Sequence, residues 1–392
     1  MSQVLRALPA DVRRRSAARR GPLPAGRLDL VLLLAVASLV GLGALLVWSA
    51  TRQRLLAAGG DPTAFLQRHL VNAAVGTVLG AAVALVDHRT LRTLVPLVYV
   101  GAVAGLVAVL SPLGSTINGA HSWIVLPAGF QVQPSELAKV AVVVGMALVL
   151  AERRDGEHEP ATPDVLLALG LAAVPAALVL LQPDLGTVLV LVLIALAVVA
   201  LAGARARWLV GLLVAGVAVT GVAVHVGVLD DYQVDRFAAF ADPALDPQGV
   251  GYNTSQARIA IGNGGLTGTG LFEGSQTRGQ FIPEQQTDFV FTVAGEELGL
   301  VGGALLLVLL GVVLWRGLAI AARAPDVFGR VVAGGVVAWF AFQSFVNIGM
   351  TLGILPVTGL PLPFVSYGGS SMFACLVGVG LLQNVHLGSS AR

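Results

Sequence analysis

Charge is what this sequence has least of. Only 12% of its 392 residues are Asp, Glu, Lys or Arg, against about a quarter in ordinary soluble domains. Hydrophobic residues make up 56%, and mean hydropathy is +0.84. Apolar runs of about 18 residues or more recur, which is the signal of membrane-spanning helices. A soluble globular domain is thereby excluded. So are open sheets in lipid, which would leave backbone groups unpaired. Cysteine is nearly missing: Cys375 stands alone, so no internal disulfide can form. Lysine is as scarce, with Lys139 the single example. The remaining bases are arginines that follow the loops instead of forming one basic face, which argues against nucleic acid as a partner. A cleavable signal peptide is not expected either. The first apolar run, 28–50, is too long and ends without a small-residue cleavage pattern. No inverted repeat is visible, which weakens a two-half transporter reading.

The apolar runs predict an all-α polytopic membrane protein of about ten transmembrane helices. The expected spans are 28–50, 70–86, 94–110, 136–151, 165–181, 187–202, 208–228, 289–315, 327–352 and 364–386. Together they make one membrane domain over 28–388. Residues 1–27 carry Arg13, Arg14, Arg15, Arg19 and Arg20 and are broken by Pro22 and Pro24. They read as a disordered cytoplasmic tail. With that tail in the cytoplasm, seventeen arginines fall inside and six outside, as the positive-inside bias requires. Ten spans then place both termini inside. They place the long loop between the seventh and eighth spans, residues 229–288, on the outer face.

That loop is the one long polar segment in the chain. It holds eight acidic residues, three arginines and, between Gly249 and Gly279, nine glycines. A loop of this length between spanning helices is more often functional than filler. Asp288 lies where it meets the next span, four residues after Glu284. Two readings are open. Thr287 or Asp288 could cap the helix and complement its dipole. Asp288 could equally be a general base, since partial dehydration at a membrane edge makes a carboxylate a better proton acceptor near neutral pH. Glu296 and Glu297, about two turns further, read either as a structural ion pair or as catalytic groups. The run IGNGGLTGTGLFEG follows no βαβ strand and lacks the Lys-Ser/Thr ending of a phosphate loop, so neither nucleotide reading survives. Its glycines suit a re-entrant or lid-like segment packed close to the membrane face. Arg236, Arg258 and Arg278 could meet an anionic head group or simply face solvent.

Three further polar stretches fall on the same outer side. In 118–139, Pro134 and Ser135 mark a helix start, and Glu136 and Lys139 share a face three residues apart. A lone intramembrane lysine should face protein or a wet cavity. Lys139 is either a structural partner of Glu136 or Asp184, or a point charge for a pyrophosphate. His121 and Trp123 precede it. In 182–186, Pro183 and Gly186 suffice to make a tight turn, and Asp184 is a candidate partner for Lys139 or part of a cavity wall. In 347–371, three prolines and two glycines break the chain before Ser366, Tyr367, Ser370 and Ser371. Non-helical backbone at membrane depth is tolerated only against protein or water. Four polar elements on one side predict one cavity open to the outer face.

The motifs NGAHSW, QPSELAK, QPDLGT, IGNGGLTGTG, PEQQTDF, GEELG and PVTGLPLPFVSYGGSS, in this order, closely resemble the shape, elongation, division and sporulation family of bacterial membrane proteins, the RodA and FtsW group. The resemblance covers nearly the whole chain. DYQVDR followed by GSQT is more similar to the RodA, or elongation, side. Gln286 stands where the family usually has a histidine, and His121 where an arginine or histidine is usual. The resemblance implies a ten-span glycosyltransferase of the bacterial cytoplasmic membrane that polymerises lipid II into peptidoglycan strands. It implies that Asp288 is the essential acid, with Glu284, Lys139, Glu136, Asp184 and Ser366 shaping the cavity.

On that basis Asp288 would take the proton from the acceptor sugar's 4-hydroxyl. The oxygen would attack the donor's anomeric carbon and polyprenyl pyrophosphate would leave, inverting an α-linkage to β-1,4. Arginine, lysine or a divalent cation such as Mg2+ or Mn2+ would offset the growing charge. No aspartate pair at metal spacing stands out, so the metal stays open. The expected partners are lipid II, the growing glycan strand, a class B penicillin-binding transpeptidase and other elongation-complex membrane proteins. The alternatives are a lipid II flippase and a non-enzymatic scaffold of the elongation or division complex.

Overall fold

A computed structural model describes residues 28–117, 120–125, 131–152, 159–226 and 249–390. The tail 1–27 and the first part of the long loop, including Arg236, lie outside the described residues. Among the described residues, eight helices are long and apolar enough to cross a membrane. They are α1 (Leu30–Ala57), α2 (Ala64–Leu85), α3 (His88–Val109), α4 (Pro134–Ala151), α5 (Thr162–Leu180), α11 (Gly299–Ala322), α12 (Val327–Thr351) and α13 (Gly369–Ser390). Two further helices, α6 (Leu185–Leu201) and α7 (Ala206–Val226), carry shorter apolar stretches. These ten correspond to the ten expected spans. Between α7 and α11 lie α8 (Val250–Gly264), α9 (Ser275–Gly279) and α10 (Val290–Glu297).

The helices alternate in direction, so their ends form two polar faces. Helices α4, α12 and α13 are buried along most of their length, while α3 and α5 lie at the rim. Without a hydrophobic drive in lipid, helix pairs rely on close approach of small residues. Gly80 of α2 and Gly380 of α13 supply it. A Cβ on Gly80 would sit 2.4 Å from the Leu376 carbonyl oxygen, and one on Gly380 would sit 2.3 Å from that of Gly80.

The face where α1 begins is stapled by aspartate caps. Asp29 caps α1 by accepting from the Leu32 N–H and also takes Arg316 of α11 in a fork at 2.6 and 2.9 Å. Gln383 of α13 joins them, accepting from the Asp29 N–H and donating to its carbonyl. Asp326 caps α12 through the Gly329 N–H and pairs with Arg92 at 2.7 Å and His88 at 3.0 Å, both from α3. Asn384 donates to carbonyls at the end of α2.

Two features at the other face depart from the sequence reading. The expected all-α membrane class holds, with one small addition: β1 (Ser115–Ile117), β2 (Ala120–Val125) and β3 (Gln131–Val132) form an antiparallel sheet in the order β1-β2-β3. It occupies the polar connection where no membrane-depth helix was required. The eighth span is not continuous either. It breaks between α10 and α11, with Gly299 in the left-handed region at φ +65°. The cause is the glycine-rich segment, which pairs with the break. Thr269 and Gly270 N–H groups donate to the carbonyls of Glu296 and Glu297, and Leu300 and Val301 N–H groups donate to those of Gly265 and Leu266. Only glycine fits this approach. A Cβ on Gly268 would lie 2.1 Å from the Glu297 carbonyl oxygen.

Candidate active site

Asp288 stands just before α10, half-buried, in a stretch whose main chain is gripped at three successive carbonyls. The Tyr367 N–H donates to Gln286 O at 2.9 Å. The Ser366 hydroxyl donates to Thr287 O. The Asn347 Nδ2 donates to Asp288 O at 2.8 Å. Asn347 also donates to Leu360 O at 2.7 Å, and Ser366 Oγ accepts from the Leu362 N–H. The proline-rich connection 356–368 and the end of α12 therefore hold the 286–288 backbone together. Gly359, at φ +74°, comes so close that a Cβ there would lie 3.5 Å from Asp288 Oδ2. Phe289, rather than Thr287 or Asp288, is the N-cap of α10, and its side chain makes no cap hydrogen bond.

Glu284, at φ +50°, is also half-buried. Its Oε2 accepts from Gln286 Nε2 at 3.1 Å and from Thr287 Oγ1 at 3.5 Å. Gln286 thus orients Glu284 with its amide while its carbonyl takes Tyr367.

Lys139 is placed differently from a phosphate ligand. It is fully buried, and Glu136 is 1% exposed. Lys139 Nζ lies 2.7 Å from Glu136 Oε1 and 3.0 Å from Gln343 Oε1. Gln343 in turn accepts from Trp339 Nε1 and donates to Pro361 O at 2.8 Å. The lysine's charge is matched inside the bundle, and through Gln343 it supports the same connection that grips Asp288. The pyrophosphate reading of Lys139 is corrected to a supporting one, because no face of the ammonium meets solvent.

Asp184 is not its partner. Asp184 caps α6 through the Thr187 N–H at 2.9 Å, and its Oδ2 accepts from Gln133 Nε2 at 3.4 Å. Gln133 N–H donates to Ser370 Oγ at 2.8 Å. Beside this cap, Gly186 approaches the connection so closely that a Cβ would lie 2.7 Å from Thr358 O. The four polar stretches do converge: Gln133, Asp184 with Gly186, the 284–288 segment and 347–370 touch in series.

Other candidates lie apart from this series. His121 bonds Thr116 Oγ1 through Nδ1 at 3.0 Å within the sheet. Arg258 is exposed on α8, its stem against the turn at Gly353. Arg278 pairs with Glu273 at 2.9 Å on the surface. Of the two readings of Glu296 and Glu297, an ion pair or catalytic groups, the ion pair is replaced by neutral donors. Glu296 accepts from the N–H groups of Gln276 and Thr277 and from the Thr277 hydroxyl at 2.7 to 2.9 Å, and Ser49 donates to Glu297 at 2.6 Å. Both glutamates anchor the glycine-rich segment, since a buried carboxylate needs such partners. Among the described residues no three His, Cys, Asp or Glu side chains gather as a metal set. A separate apolar hollow of about 490 Å³ is lined by α3 residues, including Tyr99, Val103 and Val107, and by Ser111 just beyond that helix.

Gln343 and Asn347 were missed in the sequence. Their spacing of four residues within α12 was a signal, since polar amides on one face of an apolar helix need buried partners. His69 of α2 was missed as well. It is buried beside Tyr367, with ring centroids 6.4 Å apart.

This arrangement can be set against known proteins. The peptidoglycan glycosyltransferase MrdB of Escherichia coli (strain K12) is 40% identical over 364 residues, 92% of this chain and 93% of that protein. The stage V sporulation protein E of Bacillus subtilis (strain 168) is 38% identical over 91% of this chain and 96% of its own length. Among solved structures, a chain from a peptidoglycan synthase complex described as coordinating polymerization and crosslinking superposes with a TM-score of 0.77. It is 34% identical, over 93% of this chain and 99% of that one. The rod shape determining protein RodA of Thermus thermophilus superposes with a TM-score of 0.66 at 32% identity, over 92% of this chain and 96% of that one. With the profile of the FtsW, RodA and SpoVE cell cycle proteins matching residues 30–391, the chain belongs to that family.

Proposed function

We propose that this chain is a peptidoglycan glycosyltransferase that polymerises lipid II into β-1,4 glycan strands during cell elongation, with Asp288 as its general base. The observation that carries the assignment is the clamp on residues 286–288. A half-buried carboxylate is held by its backbone against the 347–367 stretch, which the other two polar stretches also touch at Thr358 and Ser370, in a family whose member MrdB is named for this activity. A base must be fixed within hydrogen-bond reach of the proton it removes.

Asp288 takes the proton from the acceptor's 4-hydroxyl as that oxygen bonds to the donor's anomeric carbon. The bond from that carbon to the pyrophosphate oxygen breaks, and the electron pair leaves with polyprenyl pyrophosphate. One displacement inverts the α-linkage to β, and no covalent sugar–enzyme intermediate is needed. Glu284, oriented by Gln286, lines the same segment. Arg258, exposed on α8, and Arg236 are proposed from the sequence to meet the leaving anion. Mg2+ or Mn2+ takes one or two carboxylates beside substrate phosphates, so a cation would enter with the pyrophosphate. The apolar hollow on α3 suits the polyprenyl tail.

The arginine distribution supports a reading in which the aspartate-stapled face and both termini lie in the cytoplasm and the Asp288 face lies outside, in the bacterial inner membrane. A class B penicillin-binding transpeptidase is the proposed partner, in keeping with the polymerization and crosslinking complex that the fold matches.

The test is polymerisation of labelled lipid II by the purified protein in liposomes, with and without the transpeptidase. Asp288→Ala, checked for intact folding, runs beside it. Glycan ladders from the parent and a loss of about a hundredfold to ten-thousandfold in the variant are expected. Equal ladders from both would remove Asp288 as the base. Ladders from neither would favour lipid II transport or scaffolding.

A further inference from the structure

We propose that Asn347 is a positioning residue for the reaction: its side-chain amide sets the place of Asp288 by bridging two main-chain carbonyls. This rests on the assignment of Asp288 as the base. Trp339, Gln343 and Asn347 lie four residues apart on α12 and so share one face. Gln343 reaches Pro361 O and Asn347 reaches Leu360 O, at 2.8 and 2.7 Å. Of these three side chains, Asn347 alone goes further, to Asp288 O at 2.8 Å.

Its orientation is forced. Two carbonyl oxygens, from Asp288 and Leu360, converge on one end of the amide, and only the NH2 end can meet both. Among the described residues the amide oxygen meets no donor, and Asn347 is fully buried. The amide's use is the two-pronged donation, which no other uncharged aliphatic side chain of this length supplies. The bridge ties the residue carrying the carboxylate to the connection that Gly359 brings against that carboxylate. It spans 59 residues of sequence on one side and 13 on the other.

Two variants test this in the full-length protein with labelled lipid II. Asn347→Ala removes both donors. A displacement near 1 Å at a reacting group lowers turnover by roughly a hundredfold. We expect kcat to fall about 10- to 100-fold with KM for lipid II within about threefold, because an interaction that acts on the base is lost from the chemical step. Asn347→Asp keeps the shape. Ionised, its carboxylate faces two carbonyl oxygens and repels them. Protonated, it donates one hydrogen. Burial among acceptors raises its pKa, so its kcat relative to the parent should rise as pH falls from about 8 to about 6.

A merely structural role predicts a lower melting midpoint and no such pH-dependent recovery. The proposal is overturned if Asn347→Ala keeps parental kcat, if its defect is confined to KM, or if the Asn347→Asp ratio is flat with pH. The pH arm stands even where alanine destabilises α12, since it does not use the alanine variant. Asp288→Ala is assayed in parallel. If it polymerises like the parent, the base assignment fails. If it is inactive while Asn347→Ala is not, only the positioning role fails.

Discussion

Lys139 offers the sharpest separation between a residue that touches substrate and one that supports the site. Its ammonium is fully buried against Glu136, which is 1% exposed, and it holds Gln343 at 3.0 Å. Replacing Lys139 by methionine keeps most of the stem volume and leaves Glu136 as an uncompensated buried charge. Breaking a buried pair in this way costs about 3–5 kcal/mol. At roughly 2 °C per kcal/mol, the melting midpoint should fall by roughly 6–10 °C. Glu136→Gln leaves the lysine two amide oxygens and should cost less, about 1–3 kcal/mol. The double variant Glu136→Gln with Lys139→Met removes both charges. It should recover to within about 1–2 kcal/mol of the parent, because a buried pair roughly balances its own desolvation. The cycle is read by thermal unfolding in detergent, with lipid II polymerisation measured on the same samples. The double variant should regain polymerisation along with stability. If Lys139→Met melts with the parent, or if the double variant is stable yet as inactive as Lys139→Met, the lysine acts on substrate and the supporting role is refuted.

Two further outcomes follow from the opposite face and from the helix contacts. The Asp29 carboxyl is pushed up by burial, but the Arg316 guanidinium and the Leu32 N–H more than offset this and hold it below its ordinary 3.8. A depressed folded-state pKa gives stability that is present above the unfolded value and lost as pH falls through the folded one. Arg316→Met should therefore lower the melting midpoint at neutral pH, by about 1–3 kcal/mol. The gap to the parent should close only below about pH 4; a gap that is flat into that range refutes the staple. Gly80→Ala places a Cβ 2.4 Å from the Leu376 carbonyl oxygen. It should cost about 1–3 kcal/mol by overpacking α2 against α13. Gly41→Ala, with nothing within 4 Å, should leave the midpoint unmoved; equal midpoints for the two would refute the close approach.

The ten apolar helices were legible because each is a local property of a run of residues. So was the gathering of polar stretches on one side, since Pro134, the Pro183–Gly186 turn and the 356–363 prolines each interrupt a helix by their own chemistry. Pairings across the chain were not. Spacing placed Glu136 beside Lys139, and the structure agrees. The third member, Gln343, is 204 residues away from Lys139, and nothing local to either residue announces it. Asp184 shows the opposite error. A charge-matching argument tied it to Lys139, whereas its own helix start, only three residues on, claimed it first. The break at Gly299 was hidden for a related reason. GEELG is compatible with a helix by itself, and it is the 265–270 segment that imposes the left-handed turn.

The two faces of the bundle solve the same problem with different chemistry. At the stapled face, Asp29 and Asp326 cap helices and also meet arginine, so electrostatics fixes the helix ends. At the Asp288 face, the groups that fix the 286–288 backbone are a main-chain N–H, a serine hydroxyl and an asparagine amide, all neutral. The one lysine nearby reaches that region only through Gln343, with its charge already met by Glu136. On the proposed role of Asp288 as base, a clamp on the main chain restricts the position of the carboxylate without itself adding a charge beside it. Neutral donors give that restraint. This is why substitutions in the clamp should act on turnover, whereas substitutions in the aspartate staples should act on stability and its dependence on pH.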